Sequence, residues 1–440
     1  MTTRRSWGAS VGLMLGLGLL GAASATAAQE RTQLEAFVTG FPAELASRTR
    51  DASLPRLLSG GDEAAYFNMR ASEFLPTAIL PVRQPVMPLA TAIEPRIGEI
   101  SAETMNFGEM TLDEYLALPE SYVQSFIVIH DGRIVFEAYP RMRPEDHHLW
   151  MSNAKVTASL VIDLLIEEGR IDENETLGTY IPEFVGTPTG DVTVRDALDM
   201  TTGLNSDENP ETRADPNSIA IRTFNAEFGM PHDGAPERLI DVLKDAEPVR
   251  EAGEAFQYAS ATTQLLVYLA EAVEGKRWPD TFDERVWSKI GAEAPFQVHL
   301  TPDGVAIAHG LVSSNLRDLA RFGMLYTPSW TEIATEQVVS DAMIRRIRES
   351  VRSTDFFLGG YNGPAFQAIF DDDTMLSNSR QWDIVWPDGD MWKGGLMTQG
   401  LYVSPDRDLV IAYFSVNVGD RSIDRFLRPI ATSDLLNGGD

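Results

Sequence analysis

The stretch HLWMSNAKVTASLVIDLLIEEGR, residues 148–170, places Lys155 three positions after Ser152, at the start of an apolar run. Its apolar residues recur at helical spacing, which predicts a helix over residues 152–168 that ends at Gly169. Residues three apart on a helix lie on one face, so the Lys155 amine is expected to reach the Ser152 hydroxyl.

Lysine is rare in this chain, and arginine supplies most of the basic residues. A serine hydroxyl is a weak nucleophile until a neighbouring base takes its proton. Lysine can act as that base because burial and nearby cations lower its pKa, whereas arginine stays protonated. The helix start also directs the Ser152 N–H outward, where it can donate to an oxyanion. On these four residues alone, a surface lysine on an ordinary helix explains the pattern equally well.

Strand patterns flank this helix at both ends of the chain. Residues 126–139 alternate around Asp131-Gly132, which indicates a tight hairpin. Residues 379–392 and 400–416 predict further hairpin strands, and residues 421–436 predict a closing helix. Between these ends the sequence is mostly helical. We therefore predict an α+β fold in which strands from both ends share one antiparallel sheet.

The first 27 residues are typical of a cleavable secretory signal, with two arginines, an apolar stretch and small residues near Ala27. The apolar stretch is short for a bilayer span, so we expect no stable membrane span and a periplasmic or secreted protein. The predicted organisation is a signal peptide at 1–27, an N-terminal extension at 28–104, an α/β part at 105–168, a mainly helical domain at 169–365 and a second α/β part at 366–440.

Composition excludes several functions. The formal net charge is −29, which disfavours nucleic-acid binding. There is no cysteine, so disulfides and thiolate metal sites are excluded. The six histidines show no metal-ligand spacing, and the acidic runs at 205–211 and 371–373 are interpreted as solvated loops. We expect no cofactor and no metal. Four tryptophans fit either an apolar acyl pocket or the core: Trp150, Trp382, Trp386 and Trp392.

Two further short motifs follow the Ser-x-x-Lys motif. Tyr258-Ala259-Ser260 precedes an apolar helical pattern, and Lys393-Gly394-Gly395 lies in a predicted strand. With these motifs in this order, residues from about 120 to the C-terminus resemble the serine β-lactamase and penicillin-binding protein superfamily. The likeness is greatest to its class C-like branch of esterases and 6-aminohexanoate-dimer hydrolases. It implies an antiparallel sheet flanked by N- and C-terminal helices, an inserted all-α domain, and an active site between them.

The resemblance also implies roles for individual residues. Tyr258 would relay protons between Ser152, Lys155 and the leaving group, and the Leu396 N–H would be the second oxyanion donor. Lys393 would stabilise an ionised Tyr258 or attract a substrate carboxylate. Ser260 stands where the family usually has asparagine, and Gly394 replaces a threonine.

These features predict a secreted serine hydrolase that cleaves a small ester or amide through an acyl-enzyme on Ser152. Lys155 and Tyr258 would transfer the protons. Two alternatives stay open. One is a β-lactamase or D-amino-acid peptidase, and the other is a non-catalytic, penicillin-binding-like sensor. The sequence does not indicate the oligomeric state.

Overall fold

The structure is a computed structural model that describes residues 40–370 and 376–437. The predicted signal peptide and the acidic run at 371–373 lie outside the described residues. None of the helices in the described ranges has the length and apolar character needed to span a bilayer.

The described residues form sixteen strands: β1 Thr77–Leu80, β2 Ala90–Thr91, β3 Ser101–Glu103, β4 Glu109–Thr111, β5 Val123–His130, β6 Arg133–Ala138, β7 His148–Leu149, β8 Pro231–His232, β9 Ala235–Pro236, β10 Phe296–His299, β11 Val312–Ser314, β12 Ser377–Ser379, β13 Trp382–Val385, β14 Met391–Gly395, β15 Gln399–Ser404 and β16 Leu409–Ser415. Eight of them make one sheet at the centre of the molecule, in the order β12-β13-β14-β15-β16-β5-β6-β2. Its strands are antiparallel except for β2, which runs parallel to β6 at one edge.

The central sheet joins both ends of the chain, as predicted. Strand β16 pairs along its length with β5, which brings the C-terminal hairpins against the N-terminal one. The β5–β6 turn is the expected Asp131-Gly132, and both residues have positive φ (48° and 69°), the conformation of a type I′ hairpin turn. The mixed α+β fold is confirmed.

Both faces of the sheet are covered because its inner strands are apolar on both sides. On β5, Phe126 and Val128 belong to one core cluster, whereas Ile127 and Ile129 belong to the other. This alternation follows from the two-residue period of a strand. One cluster joins the sheet to the helical region, and the second joins it to the C-terminal segment.

Eighteen helices surround the described sheet, many of them short. They are α1 Ala43–Asp51, α2 Leu54–Leu57, α3 Gly61–Met69, α4 Leu112–Ala117, α5 Lys155–Glu167, α6 Leu177–Tyr180, α7 Val194–Leu198, α8 Pro210–Ala214, α9 Ile219–Glu227, α10 Leu239–Lys244, α11 Ser260–Glu274, α12 Trp278–Arg285, α13 Leu316–Met324, α14 Asp341–Glu349, α15 Thr354–Leu358, α16 Asn362–Phe370, α17 Leu427–Ala431 and α18 Asp434–Asn437.

The region between residues 169 and 365 is mostly helical but also contributes strands to a smaller sheet. This sheet has the order β1-β10-β11-β7, and its edge strand β1 comes from the segment before residue 105. That N-terminal segment also supplies β2 to the edge of the central sheet. It therefore packs along both sheets of the main body.

Two helices differ from the sequence prediction. The helix expected at 152–168 begins as a 3₁₀ turn, Met151–Ala154, and becomes α-helical only at Lys155. The single closing helix expected at 421–436 is wrong, because this segment divides into a 3₁₀ turn at Ser422–Phe426 followed by α17 and α18. Pro429 lacks the N–H that a continuous helix would need at that point.

Candidate active site

Ser152 lies at the entrance to α5, in a backbone conformation set by the residue before it. Met151 has φ of +48°, which is uncommon for a residue with a side chain and costs energy that the surrounding packing must offset. The first turn bond is donated by the N–H of Asn153 to the carbonyl of Trp150. The Ser152 N–H lies one residue before this first donor, so it has no acceptor within the turn. It is therefore available to a ligand.

Lys155 is fully buried and its amine is surrounded by neutral acceptors. Its Nζ lies 3.2 Å from the Oγ of Ser152, 3.1 Å from the Oγ of Ser260 and 2.9 Å from the carbonyl oxygen of His309. Burial lowers the pKa of Lys155 to about 7, although the carboxylate of Glu208 favours the charged form. The amine is thus poised to accept or release a proton near neutral pH.

Tyr258 lies between two buried lysines. The Nζ of Lys155 is 5.1 Å from the centroid of its ring and the Nζ of Lys393 is 4.8 Å from it. Burial, together with the carboxylates of Asp383 and Glu208, raises the pKa of Tyr258 well above that of a free phenol, while a hydrogen bond with Ser152 opposes this shift. The phenol therefore keeps its proton at neutral pH and contacts the serine.

Lys393 is also fully buried, but it is paired with a carboxylate. Its Nζ donates to Oδ1 of Asp383, and Oδ2 of Asp383 accepts the N–H of Gly394 at 3.1 Å. Burial lowers the pKa of Lys393, and the adjacent carboxylate opposes that shift. Lys393 thus has a carboxylate partner in Asp383 and also contacts the face of the Tyr258 ring.

The strand that carries Lys393 reaches the cleft by extending past its neighbour. Strand β13 pairs with β14 only through Ile384 with Trp392 and Val385 with Met391, so residues 393–395 continue beyond that ladder. Leu396 follows directly and lines the same cleft as Ser152.

The turn after Leu396 is tight. Met397 and Thr398 both have positive φ, at 60° and 66°, and the Thr398 N–H donates to the carbonyl of Gly395. Neither glycine of the motif faces open space. A Cβ on Gly395 would lie 3.1 Å from that of Met151, and one on Gly394 would lie 2.5 Å from the ring of Trp392.

Glu208 is a second carboxylate of the site, and its side chain is 18% exposed. Its Oε1 accepts the N–H of Ser260 at 2.7 Å and its Oε2 pairs with Arg213 at 2.8 Å. Burial would raise its pKa, but Arg213, Lys155 and the hydrogen bond from Ser260 outweigh burial and hold the pKa at about 2. The interpretation of residues 205–211 as a solvated loop is therefore wrong at Glu208, which stays ionised beside the buried amine.

Beyond this polar centre the cleft is largely apolar. Six of the apolar residues that line it are Leu58 of the N-terminal segment, Ile221 and Phe224 of α9, Phe228 just after α9, Phe366 of α16 and Leu396 just after β14. Trp150, Trp382, Trp386 and Trp392 are buried in the core and are not among the lining residues, so core packing is the correct reading for them.

The structure brings the sequence-predicted residues into one cleft. Ser152, Tyr258, Ser260, Gly394, Gly395 and Leu396 line it, with Lys155 and Lys393 buried directly behind. Sequence reasoning missed Asp383, Glu208, Arg213, Arg421 and Leu58. Only Asp383 had a visible signal, because a single acid in the apolar strand pattern QWDIVW indicates a buried charge that needs a partner. In the described residues, no three His, Asp or Glu side chains cluster as metal ligands.

The fold and cleft are those of a serine hydrolase, with Ser152 at the start of a helix. A β-lactamase family model matches residues 120–428, and the chain belongs to that family. A 6-aminohexanoate-dimer hydrolase of Paenarthrobacter ureafaciens is 27% identical over 353 residues, which cover 79% of this chain and 83% of that protein.

Solved structures show the same fold. A Bacillus anthracis protein described as a 6-aminohexanoate-dimer hydrolase superposes with a TM-score of 0.71 at 22% identity, covering 85% of this chain and 94% of that one. The hydrolase EstCE1, described as having promiscuous acyltransferase activity, gives 0.54 at 15% identity, covering 74% of this chain and 98% of that chain.

Proposed function

We propose that this protein hydrolyses a small ester or linear amide through an acyl-enzyme on Ser152. The observation that carries this proposal is the amine of Lys155, which lies 3.2 Å from the Ser152 hydroxyl and has a pKa of about 7. A base near the operating pH is the most effective at removing a proton in the transition state. Lys155 therefore serves as general base and Ser152 as nucleophile.

Acylation begins when the Ser152 Oγ attacks the substrate carbonyl carbon and its proton passes to Lys155 Nζ. The carbonyl π electrons move to oxygen, and the resulting oxyanion accepts hydrogen bonds from the N–H groups of Ser152 and Leu396. The tetrahedral intermediate then expels the leaving group, which takes a proton from the Tyr258 hydroxyl. Tyr258 regains its proton from Lys155. The raised pKa of Tyr258 supports this role, because a protonated phenol is available as an acid.

Deacylation uses the same groups in reverse. A water molecule attacks the acyl carbon while its proton passes to Lys155, the oxyanion forms again in the same place, and the Ser152 Oγ departs with a proton. The carboxylic acid is released and the enzyme returns to its starting state. No cofactor is required for any of these steps.

The lining of the cleft supports an apolar substrate. Phe224, Phe228 and Leu396 present apolar surface in the same cleft as Ser152. Lys393, the group that could have attracted a substrate carboxylate, is fully buried and paired with Asp383. These contacts favour an ester or linear amide with an apolar chain over a β-lactam or a D-amino-acid peptide.

Labelling with a fluorophosphonate probe, followed by intact mass measurement, tests the acyl-enzyme. We expect one adduct on the wild type and none on Ser152→Ala. Ser159→Ala, on a buried serine of the same helix, is the matched control and should label like the wild type. Equal labelling of wild type and Ser152→Ala would refute the proposal.

A substrate panel then tests the substrate class. We expect turnover of p-nitrophenyl esters to rise with acyl length until the cleft is filled, with nitrocefin and D-Ala-D-Ala peptides as poor substrates. Efficient nitrocefin hydrolysis would instead support the β-lactamase alternative. A normal acylation burst without turnover would support the sensor alternative.

We also propose that the protein acts outside the cytoplasm, which rests on the predicted signal peptide in residues 1–27. Cell fractionation together with the mass of the mature protein tests this. A mature N-terminus near residue 28 in the periplasmic or extracellular fraction is expected, and an uncleaved cytoplasmic protein would contradict it.

A further inference from the structure

The carbonyl of Gly395 has an unusual partner. It accepts a hydrogen bond from Nη1 of Arg421 at 3.2 Å, in addition to the one from the N–H of Thr398 at 3.1 Å. Arg421 comes from the C-terminal segment, which packs on the opposite face of the sheet from the catalytic helix. The Arg421 guanidinium nevertheless reaches the end of β14, in the cleft that Ser152 lines. This placement needs a physical explanation.

The peptide group that Arg421 contacts is the one that carries the Leu396 N–H. The described chain has no cis peptide bond, so the Gly395 carbonyl and the Leu396 N–H point in opposite directions within one rigid plane. A donor that fixes the carbonyl therefore also fixes the direction of the N–H. A charged donor polarises the amide as well, which makes its N–H a stronger donor.

Arg421 is itself held firmly. Its Nε donates to Oδ2 of Asp424 at 2.7 Å, and its guanidinium carbon lies 5.4 Å from the centroid of the Trp392 ring. Asp424 is further fixed by a hydrogen bond from Tyr413. The guanidinium thus has one defined position, and the carbonyl of Gly395 is held by a rigid group.

The same geometry explains why residue 394 is glycine. A Cβ on Gly394 would lie 3.0 Å from Nη2 of Arg421 and 2.5 Å from the ring of Trp392. A threonine at this position would displace the guanidinium from the strand end. Glycine at position 394, in place of the family's threonine, therefore leaves room for the Arg421 guanidinium.

We infer that Arg421 is a positioning residue for the oxyanion site: it orients and polarises the Gly395–Leu396 peptide so that the Leu396 N–H points at the developing oxyanion. This inference rests on the proposed function, because an oxyanion forms at this place only if Ser152 attacks a carbonyl. Gly394 is the residue that makes the contact sterically possible.

The test compares Arg421→Lys and the charge-balanced pair Arg421→Met with Asp424→Asn, so that no buried carboxylate loses its partner. For an oxygen ester we expect kcat to fall about tenfold with KM unchanged, less than the ~10²–10³-fold loss on removing an oxyanion donor altogether. Arg425→Met, on the same 3₁₀ turn and outside the cleft lining, should behave like the wild type.

A thionoester of the same acyl group separates positioning from general damage. Sulfur is a poor hydrogen-bond acceptor, so the thionoester depends little on the oxyanion donors and should lose little rate. The ratio of oxygen-ester to thionoester turnover should therefore fall about tenfold in the Arg421 variants. Equal losses on both esters, or unchanged kcat, would overturn the inference. A rise in KM confined to substrates bearing a carboxylate would also overturn it.

The two hypotheses fail in different ways. If the inference is wrong but the function is right, the ratio of oxygen-ester to thionoester turnover in the Arg421 variants stays at the wild-type value, while the wild type is labelled and Ser152→Ala is not. If the proposed function is wrong, wild type and Ser152→Ala label alike, whatever residue occupies position 421.

Discussion

The start of α5 and the end of β14 each bring a buried lysine to Tyr258, yet the two lysines have opposite surroundings. Lys155 contacts two hydroxyls and a carbonyl, all neutral, whereas Lys393 donates directly to the carboxylate of Asp383. Their distances to the Tyr258 ring are similar, 5.1 and 4.8 Å. Burial lowers the pKa of both amines, so the difference between them lies in the partner: the carboxylate of Asp383 is bonded to Lys393 and favours its charged form, whereas Lys155 has neutral hydrogen-bond partners.

The largest effect is expected at Lys155. Replacing it with arginine keeps the positive charge but removes a group that can be deprotonated. We expect kcat/KM to fall on the order of 10³-fold, within the range for loss of a general base, and no recovery at higher pH. Lys289→Arg, at a partly exposed lysine paired with Glu336, is the control. If the Lys155 variant kept a tenth of wild-type activity, the base would have to lie elsewhere.

Separating the Lys393–Asp383 pair should mainly affect stability. Asp383→Asn leaves a buried ammonium without its carboxylate, so we expect the free energy of unfolding in urea to fall by about 3 kcal/mol. Adding Lys393→Met removes the unpaired charge and should restore much of that stability. Activity should stay low in the double variant, because Tyr258 then has a cation on one side only. Unchanged stability of Asp383→Asn would show that this lysine resembles Lys155 after all.

The next effect concerns the pH dependence of kcat/KM, which follows the charge of Lys155. In the proposed mechanism Lys155 must be uncharged to act as the base, and its pKa is about 7, so kcat/KM should rise as the pH increases through about 7. Glu208 favours the charged amine, so Glu208→Gln should lower the Lys155 pKa and move this rise to lower pH. Glu211→Gln, at an exposed residue in the first turn of α8, should leave the profile unchanged. A shift to higher pH in the Glu208 variant would contradict the electrostatic argument.

The difference between the lysines also marks the limit of sequence reasoning. The Asp131-Gly132 hairpin and the spacing of Ser152 and Lys155 are local patterns, and the structure has both close to where they were expected. The pairing of β16 with β5 could be predicted because strands at both chain ends must share a sheet to bury their apolar faces.

The electrostatic partners could not be predicted in this way. Glu208 lies 52 positions from Ser260 and sits in a stretch whose composition is typical of a solvated loop. Its ionised state depends on Arg213, five positions along the chain, and on Lys155, which meets it only in the folded chain. The 3₁₀ turn before α5 likewise begins at Met151, whose positive φ has no signal in the sequence.

The smallest expected effect concerns Ser260, which replaces the family's asparagine. Its Oγ accepts from Lys155 Nζ at 3.1 Å and is one of three neutral contacts that hold the amine beside Ser152. Ser260→Ala removes a single hydrogen bond worth about 1 kcal/mol, so kcat/KM should fall about fivefold. The Lys155 pKa should also fall slightly, because the charged amine loses an acceptor, and the rise in the pH profile should move to lower pH. Thr262→Ser, two residues further along the same helix and outside the cleft lining, serves as the control. A loss as large as that of Lys155→Arg would mean that the amine depends on this one hydroxyl for its position.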